Sequence, residues 1–114
     1  MMTLYWSRDG KPLSNAEGVE VLIRESPADR TIGRTVVLGA QVITMYHVLA
    51  PHLNGRPFGT LVQDAAMSVE YEWATETEAQ AGHARLVDSV TQAGGDLAQM
   101  RLPPGYLYAE KRRR

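Results

Sequence analysis

Val69-Glu70-Tyr71-Glu72-Trp73-Ala74-Thr75-Glu76-Thr77-Glu78-Ala79-Gln80-Ala81-Gly82-His83-Ala84-Arg85-Leu86-Val87 changes its period halfway along. Met67, Val69, Tyr71 and Trp73 alternate with Ser68, Glu70 and Glu72. That period of two predicts a strand with one apolar and one acidic face. Thr75 then stands as an N-cap, with Glu78 three residues on to complete a capping box and Glu76 in the first turn, where the helix dipole favours negative charge. Ala79, Gly82, His83, Leu86, Val87 and Val90 follow at i, i+3, i+4, i+7, i+8 and i+11, one continuous stripe of a helix. Gly94-Gly95 supplies the left-handed residue that ends it. A strand feeding an amphipathic helix must bury both stripes in one layer. The spacing therefore predicts an α+β fold, with Trp73, Tyr71 and Val69 facing Leu86, Val87 and Val90.

Upstream, Leu4-Tyr5-Trp6 is a short apolar start, and Asp9-Gly10 is a turn signal. Ser14 and Glu17 fit a second capping box. Val19, Leu22 and Ile23 have the spacing of a buried helical face, and Pro27 stops the segment. This predicts a helix at about residues 15–25, in which Gly18 costs about 1 kcal/mol relative to alanine. Residues 30–38 and 41–49 are rich in β-branched side chains. The Gly39-Ala40 pair between them suits a type II′ hairpin. Residues 51–59 hold two prolines and two glycines and read as a loop. Residues 60–63 resume as a strand, and Asp64-Ala65-Ala66 forms a turn or bulge before Met67. The expected fold is about four mostly antiparallel strands, one long C-terminal helix packed on them, and a shorter N-terminal helix at an edge. Residues 1–102 form the single domain. Pro103-Pro104 breaks the chain, and residues 103–114 follow as an aromatic and basic arm that leaves the body or lies along its surface.

A chain of 114 residues with 44% hydrophobic and 22% charged side chains fits one ordinary globular domain. No apolar run is long enough for a membrane span. The start lacks the features of a signal peptide, so a cytoplasmic location (the host cytoplasm for a phage product) is the expectation. With no cysteine there is no disulfide, thiolate zinc site or cysteine nucleophile. Four of the twelve Lys and Arg side chains sit at 111–114, which leaves eight against thirteen acidic groups in residues 1–110, a balance of −5. An acidic body repels phosphate backbones, so nucleic acid is a partner only through the basic tail.

Glu70 and Glu72 project from one strand face about 7 Å apart. Paired carboxylates can act on a glycosidic bond, but here they read as the outer face of an antiparallel strand. Of the three histidines, His83 lies on the apolar stripe of the second helix and reads as structural, its ring bonded to a carbonyl or to the adjacent strand. His47, His52 and Arg56 gather around the 51–59 loop and form the alternative ligand site. No nucleophile elbow, phosphate loop or dinucleotide fingerprint occurs, and no metal or cofactor is implied. Tyr106 and Tyr108, with Arg112 and Arg113 behind them, have the character of a docking arm.

Tyr5-Trp6, Asp9-Gly10 with Pro12, Arg34-Thr35, Phe58-Gly59-Thr60-Leu61-Val62 and, above all, Trp73-Ala74-Thr75-Glu76 with Glu78-Ala79, Ala81-Gly82-His83 and Val87 occur in this order. The pattern, over residues 4–90, resembles a family of small uncharacterised proteins of bacteriophage, prophage and actinobacterial genomes. Members of that family carry a Trp-Leu-Gly and His-rich segment where this chain has Tyr46-His47-Val48-Leu49. The resemblance implies a phage-type accessory protein and assigns no residue a role.

The expected function is therefore non-enzymatic binding of a host or phage protein, with inhibition of a host defence or nucleic-acid enzyme as its concrete version. Glu70, Glu72, Tyr106, Tyr108, Arg112 and Arg113 are the candidate partner contacts. A homodimer formed through the arm belongs to the same expectation. The alternatives are a small enzyme or ligand binder at His47, His52 and Arg56, and a virion or assembly component held by the arm.

Overall fold

The computed structural model describes residues 4–49 and 55–111, with the backbone alone for 106–111. Strand β1 (Tyr5–Trp6) and strand β2 (Pro12–Leu13) form a small antiparallel ribbon across the Asp9-Gly10 turn. Helix α1 (Asn15–Arg24) follows, with both bonds of the Ser14–Glu17 capping box made. Five strands form the main sheet: β3 (Thr31–Val37), β4 (Ala40–Tyr46), β5 (Phe58–Gln63), β6 (Met67–Trp73) and β7 (Tyr106–Lys111). They lie side by side in that order, every pair antiparallel. Helix α2 (Glu76–Gln92) and a 3₁₀ turn (Leu97–Gln99) stand between β6 and β7.

The α+β class, the antiparallel sheet and the long helix packed on it match the sequence reading. Val69, Tyr71, Leu86 and Val90 are fully or almost fully buried in one cluster with Ala40, Val42 and Val62, and Trp73 and Val87 pack against it. A second cluster, Tyr46, Val48, Phe58 and Ala79, continues this layer toward β1 and β2. Arg8 fastens that end. Its guanidinium donates to Glu76 Oε1 at 3.0 Å, to Glu25 Oε1 at 3.2 Å and to the Asp29 carbonyl at 2.6 Å. It also lies 5.2 Å from the centroid of the Tyr46 ring.

Four details differ from the sequence reading. The β3–β4 hairpin turns at Leu38-Gly39, not Gly39-Ala40. Both turn residues have positive φ, 48° and 95°, so the turn has the hand of type I′. Strand β5 begins at Phe58, inside the expected loop, because Phe58 and Gly59 pair with Tyr46 and Met45. Residues 106–111 of the expected arm lie along the body as a fifth strand at the sheet edge, where a preceding Pro-Pro-Gly break costs no ladder bond.

The last difference is in α1. Val19, Leu22 and Ile23 face outward, Ile23 with 81% of its surface exposed. The inward side is Gly18 and Val21 instead. Gly18 is chosen by contact, since a Cβ there would sit 2.2 Å from the Tyr5 ring. A helix laid on an aromatic ring through a glycine rotates its apolar stripe into solvent.

Candidate functional site

Side-chain alternation divides the main sheet into two faces. One face carries Val42, Thr44, Tyr46, Thr60, Val62, Val69 and Tyr71 beneath α2, all buried. A chain of hydrogen bonds crosses its centre. Trp73 Nε1 donates to Thr60 Oγ1 at 2.9 Å, and Thr60 Oγ1 lies 2.6 Å from Thr44 Oγ1. His83 from α2 completes it, with Nδ1 2.7 Å from Thr44 Oγ1 and Nε2 3.0 Å from Thr35 Oγ1. Both ring nitrogens are thus satisfied by strand hydroxyls, as the structural reading of His83 requires. Burial holds the His83 pKa below its ordinary value and so favours the neutral ring. Among the described residues no carboxylate joins this network, unlike the His-bound carboxylate of a catalytic triad.

The other face carries no described helix. Its residues are Arg34 and Val36 on β3, Gln41, Ile43 and Met45 on β4, Gly59, Leu61 and Gln63 on β5, and Ser68, Glu70 and Glu72 on β6. The register sets four of them in one row across the strands. Arg34 pairs with Ile43, Ile43 with Leu61, and Leu61 with Glu70. The row continues to the backbone of Tyr108 on β7. It reads cation, apolar, apolar, anion. Ile43, Met45, His47, Leu61 and Glu70 line a shallow concavity of about 250 Å³ on this face.

The structure redistributes the candidate residues. Glu70 and Glu72 do share a face, but Glu72 is only 7% exposed and so is not part of an open acidic surface. His47 joins Glu70 rather than a loop cluster. Its ring lies over Gly59, where a Cβ would meet Nε2 at 2.9 Å. Burial lowers the His47 pKa, with Arg30 acting in the same direction and Glu70 and Glu72 opposing it. Arg56 lines a different recess of about 450 Å³, with Glu72, Trp73, Glu78, Ala81, Arg85 and Gly105. His52, Arg112 and Arg113 lie outside the described residues. Tyr106 and Tyr108 stand in β7 at register positions opposite Tyr71 and Glu70.

Of the expected three-residue ligand site around the 51–59 loop, His47 and Arg56 line separate recesses, and His52 lies outside the described residues. Among the described residues no group of three or more His, Asp or Glu side chains is placed to hold a metal ion. No described helix is long and apolar enough to cross a membrane. Nothing in the sequence alone marks Arg34, Ile43 and Leu61 as site residues. Alternation along each strand marks them as one face, but only the register between strands aligns them. Comparison with protein-family models, with curated proteins and with solved structures finds no match to this chain.

Proposed function

We propose that this protein acts by protein–protein contact through the helix-free face of its sheet, without catalysis. One observation carries the reading: an apolar centre, Ile43 and Leu61, lies between a cationic and an anionic border on a face that no described helix covers. An apolar patch with a charged rim is the usual anatomy of a contact surface. The complementary surface is a protein patch of the same kind, apolar at its centre with a basic group to meet Glu70. The −5 balance of residues 1–110 supports the version in which that patch belongs to a nucleic-acid enzyme. The phage-type accessory setting implied by the sequence resemblance is part of the same proposal.

The test is affinity capture from a host lysate with the wild-type chain and with an Ile43→Lys/Leu61→Lys variant. Far-UV circular dichroism and the urea midpoint first establish that the variant folds. The expected result is a defined protein retained by the wild type and lost by the variant. Equal recovery by both chains would overturn the assignment of this face.

A further inference from the structure

The partner that the face fits on its own chemistry is a second copy of the same chain. We infer that two copies pack sheet against sheet through the Arg34–Ile43–Leu61–Glu70 row, about a twofold axis parallel to the strands and midway between β4 and β5. This rests on the reading of the face as a contact surface, and it names the second copy as what covers that face when no other partner does.

The inference follows from the register. A twofold axis of that orientation reverses the strand order of one copy over the other and keeps each row at its own height. It lays β3 of one copy over β6 of its partner, and β4 over β5. The row is self-complementary under that operation. Arg34 meets the second copy's Glu70, Ile43 meets its Leu61, and each contact occurs twice, as an isologous interface demands. The flanking rows agree. Gln41 and Gln63 are paired neighbours, so the operation sets amide against amide. Met45 and Gly59 are paired neighbours too, so it sets Met45 of one copy against the His47 ring that lies over Gly59 in the other.

Sheets packed face to face with aligned strands stand about 10 Å apart, a gap that Arg and Glu side chains span from opposite sides. A carboxylate has about four acceptor sites, so other hydrogen bonds made by Glu70 do not exhaust it. Only β3 to β6 overlap under this axis, since β7 lies beyond the partner's β3. Four strands about 4.8 Å apart and roughly six residues long present about 400 Å² per copy, about 800 Å² for the pair. That is below the usual size of a specific interface, so the dimer is weak and exchanges with monomer.

The experiment is sedimentation of the full chain over a concentration series, at low and high salt. The wild type is expected to self-associate, less tightly at high salt because two ion pairs at the rim are screened. Arg34→Glu and Glu70→Arg each put like charges in contact twice and should weaken association at least tenfold. Mixing the two variants should restore a dimer. The carboxylate introduced at position 34 of one chain then faces the guanidinium introduced at position 70 of the other, and the remaining native Arg34 and Glu70 still face each other. A folding defect in either variant cannot produce that recovery. A wild-type chain that stays monomeric overturns the inference, as do single variants that dimerise normally or a mixture that stays monomeric. If the wild type is monomeric yet lysate capture still depends on Ile43 and Leu61, the contact-face reading stands and only the second copy is excluded.

Discussion

Replacing Gly82 by alanine should destabilise this protein, against the usual direction for a glycine inside a helix. At an exposed helical site that change gains about 1 kcal/mol. Here Gly82 is buried under Trp73, and a Cβ would lie 2.3, 2.5 and 2.8 Å from three atoms of the indole. The indole has little freedom to yield. It donates to Thr60 at 2.9 Å and stacks on Tyr71 at 5.7 Å with the planes 3° apart. Overpacking of this kind costs about 1–3 kcal/mol, and moving Trp73 off Thr60 removes a hydrogen bond worth about 1 kcal/mol. After the propensity gain, the net loss is about 1–3 kcal/mol. Urea unfolding followed by tryptophan fluorescence and far-UV circular dichroism measures it. Ala81→Gly on the exposed side of the same turn is the control, and should cost about 1 kcal/mol by propensity alone. In a Trp73→Phe background the smaller ring should reduce the cost of Gly82→Ala. A Gly82→Ala protein more stable than wild type would refute the claim that Trp73 selects the glycine.

Leu86→Ala removes a side chain that is 1% exposed at the centre of the main cluster, and should cost about 2–5 kcal/mol in the same assay; an unchanged urea midpoint would mean that α2 does not pack there. Stability should also fall with acid well before the carboxylates titrate. Burial lowers the pKa of both His47 and His83 from 6.5, so in the window below 6.5 the unfolded chain binds more protons than the folded one. Stability is then greatest above about pH 6.5 and declines as pH drops through the folded values, by at most about 1.4 kcal/mol per pH unit for each ring and less where solvent reaches it. His83→Gln should flatten part of that decline between pH 7 and 5 and leave the His47 share; a wild-type midpoint that is level across this range would contradict the burial of both rings.

The strand-to-helix passage is legible in the sequence because a single layer of packing decides it. Alternation in β6 and the stripe of α2 point at each other, and the Thr75 cap marks the junction. Even there the geometry adds a detail: Glu78 accepts from the amide of Ala74, one residue before the cap, rather than from that of Thr75. The orientation of α1 is not legible. Val19, Leu22 and Ile23 have the spacing of a buried face, and local periodicity carries no sign of the Tyr5 ring that claims Gly18 instead. The hairpin turn differs by one residue because β-branched content brackets a turn without setting its register. The candidate site is the least legible part. Glu70 and Glu72 look equivalent by alternation, yet one is half-buried beside Leu61 and the other almost wholly covered. Arg34 and Glu70 stand thirty-six positions apart in the chain, and only three successive strand pairings bring them into one row.

The strand order also dictates how the sheet assembles. Each strand pairs with the one that follows it in the chain, so β3 to β6 are joined by closures of at most eleven residues. The β3–β4 turn is two residues long and the β5–β6 turn three, and such hairpins form in microseconds. β7 is the exception, because α2 and the 3₁₀ turn intervene. Closing that roughly tenfold longer segment adds about 2 kcal/mol of chain entropy. On a nascent polypeptide the four-stranded ribbon can form while the residues of β7 are still being added. Until they arrive, the amides and carbonyls along the outer side of β6 are an open template for any extended segment nearby, and β7 closes that template last.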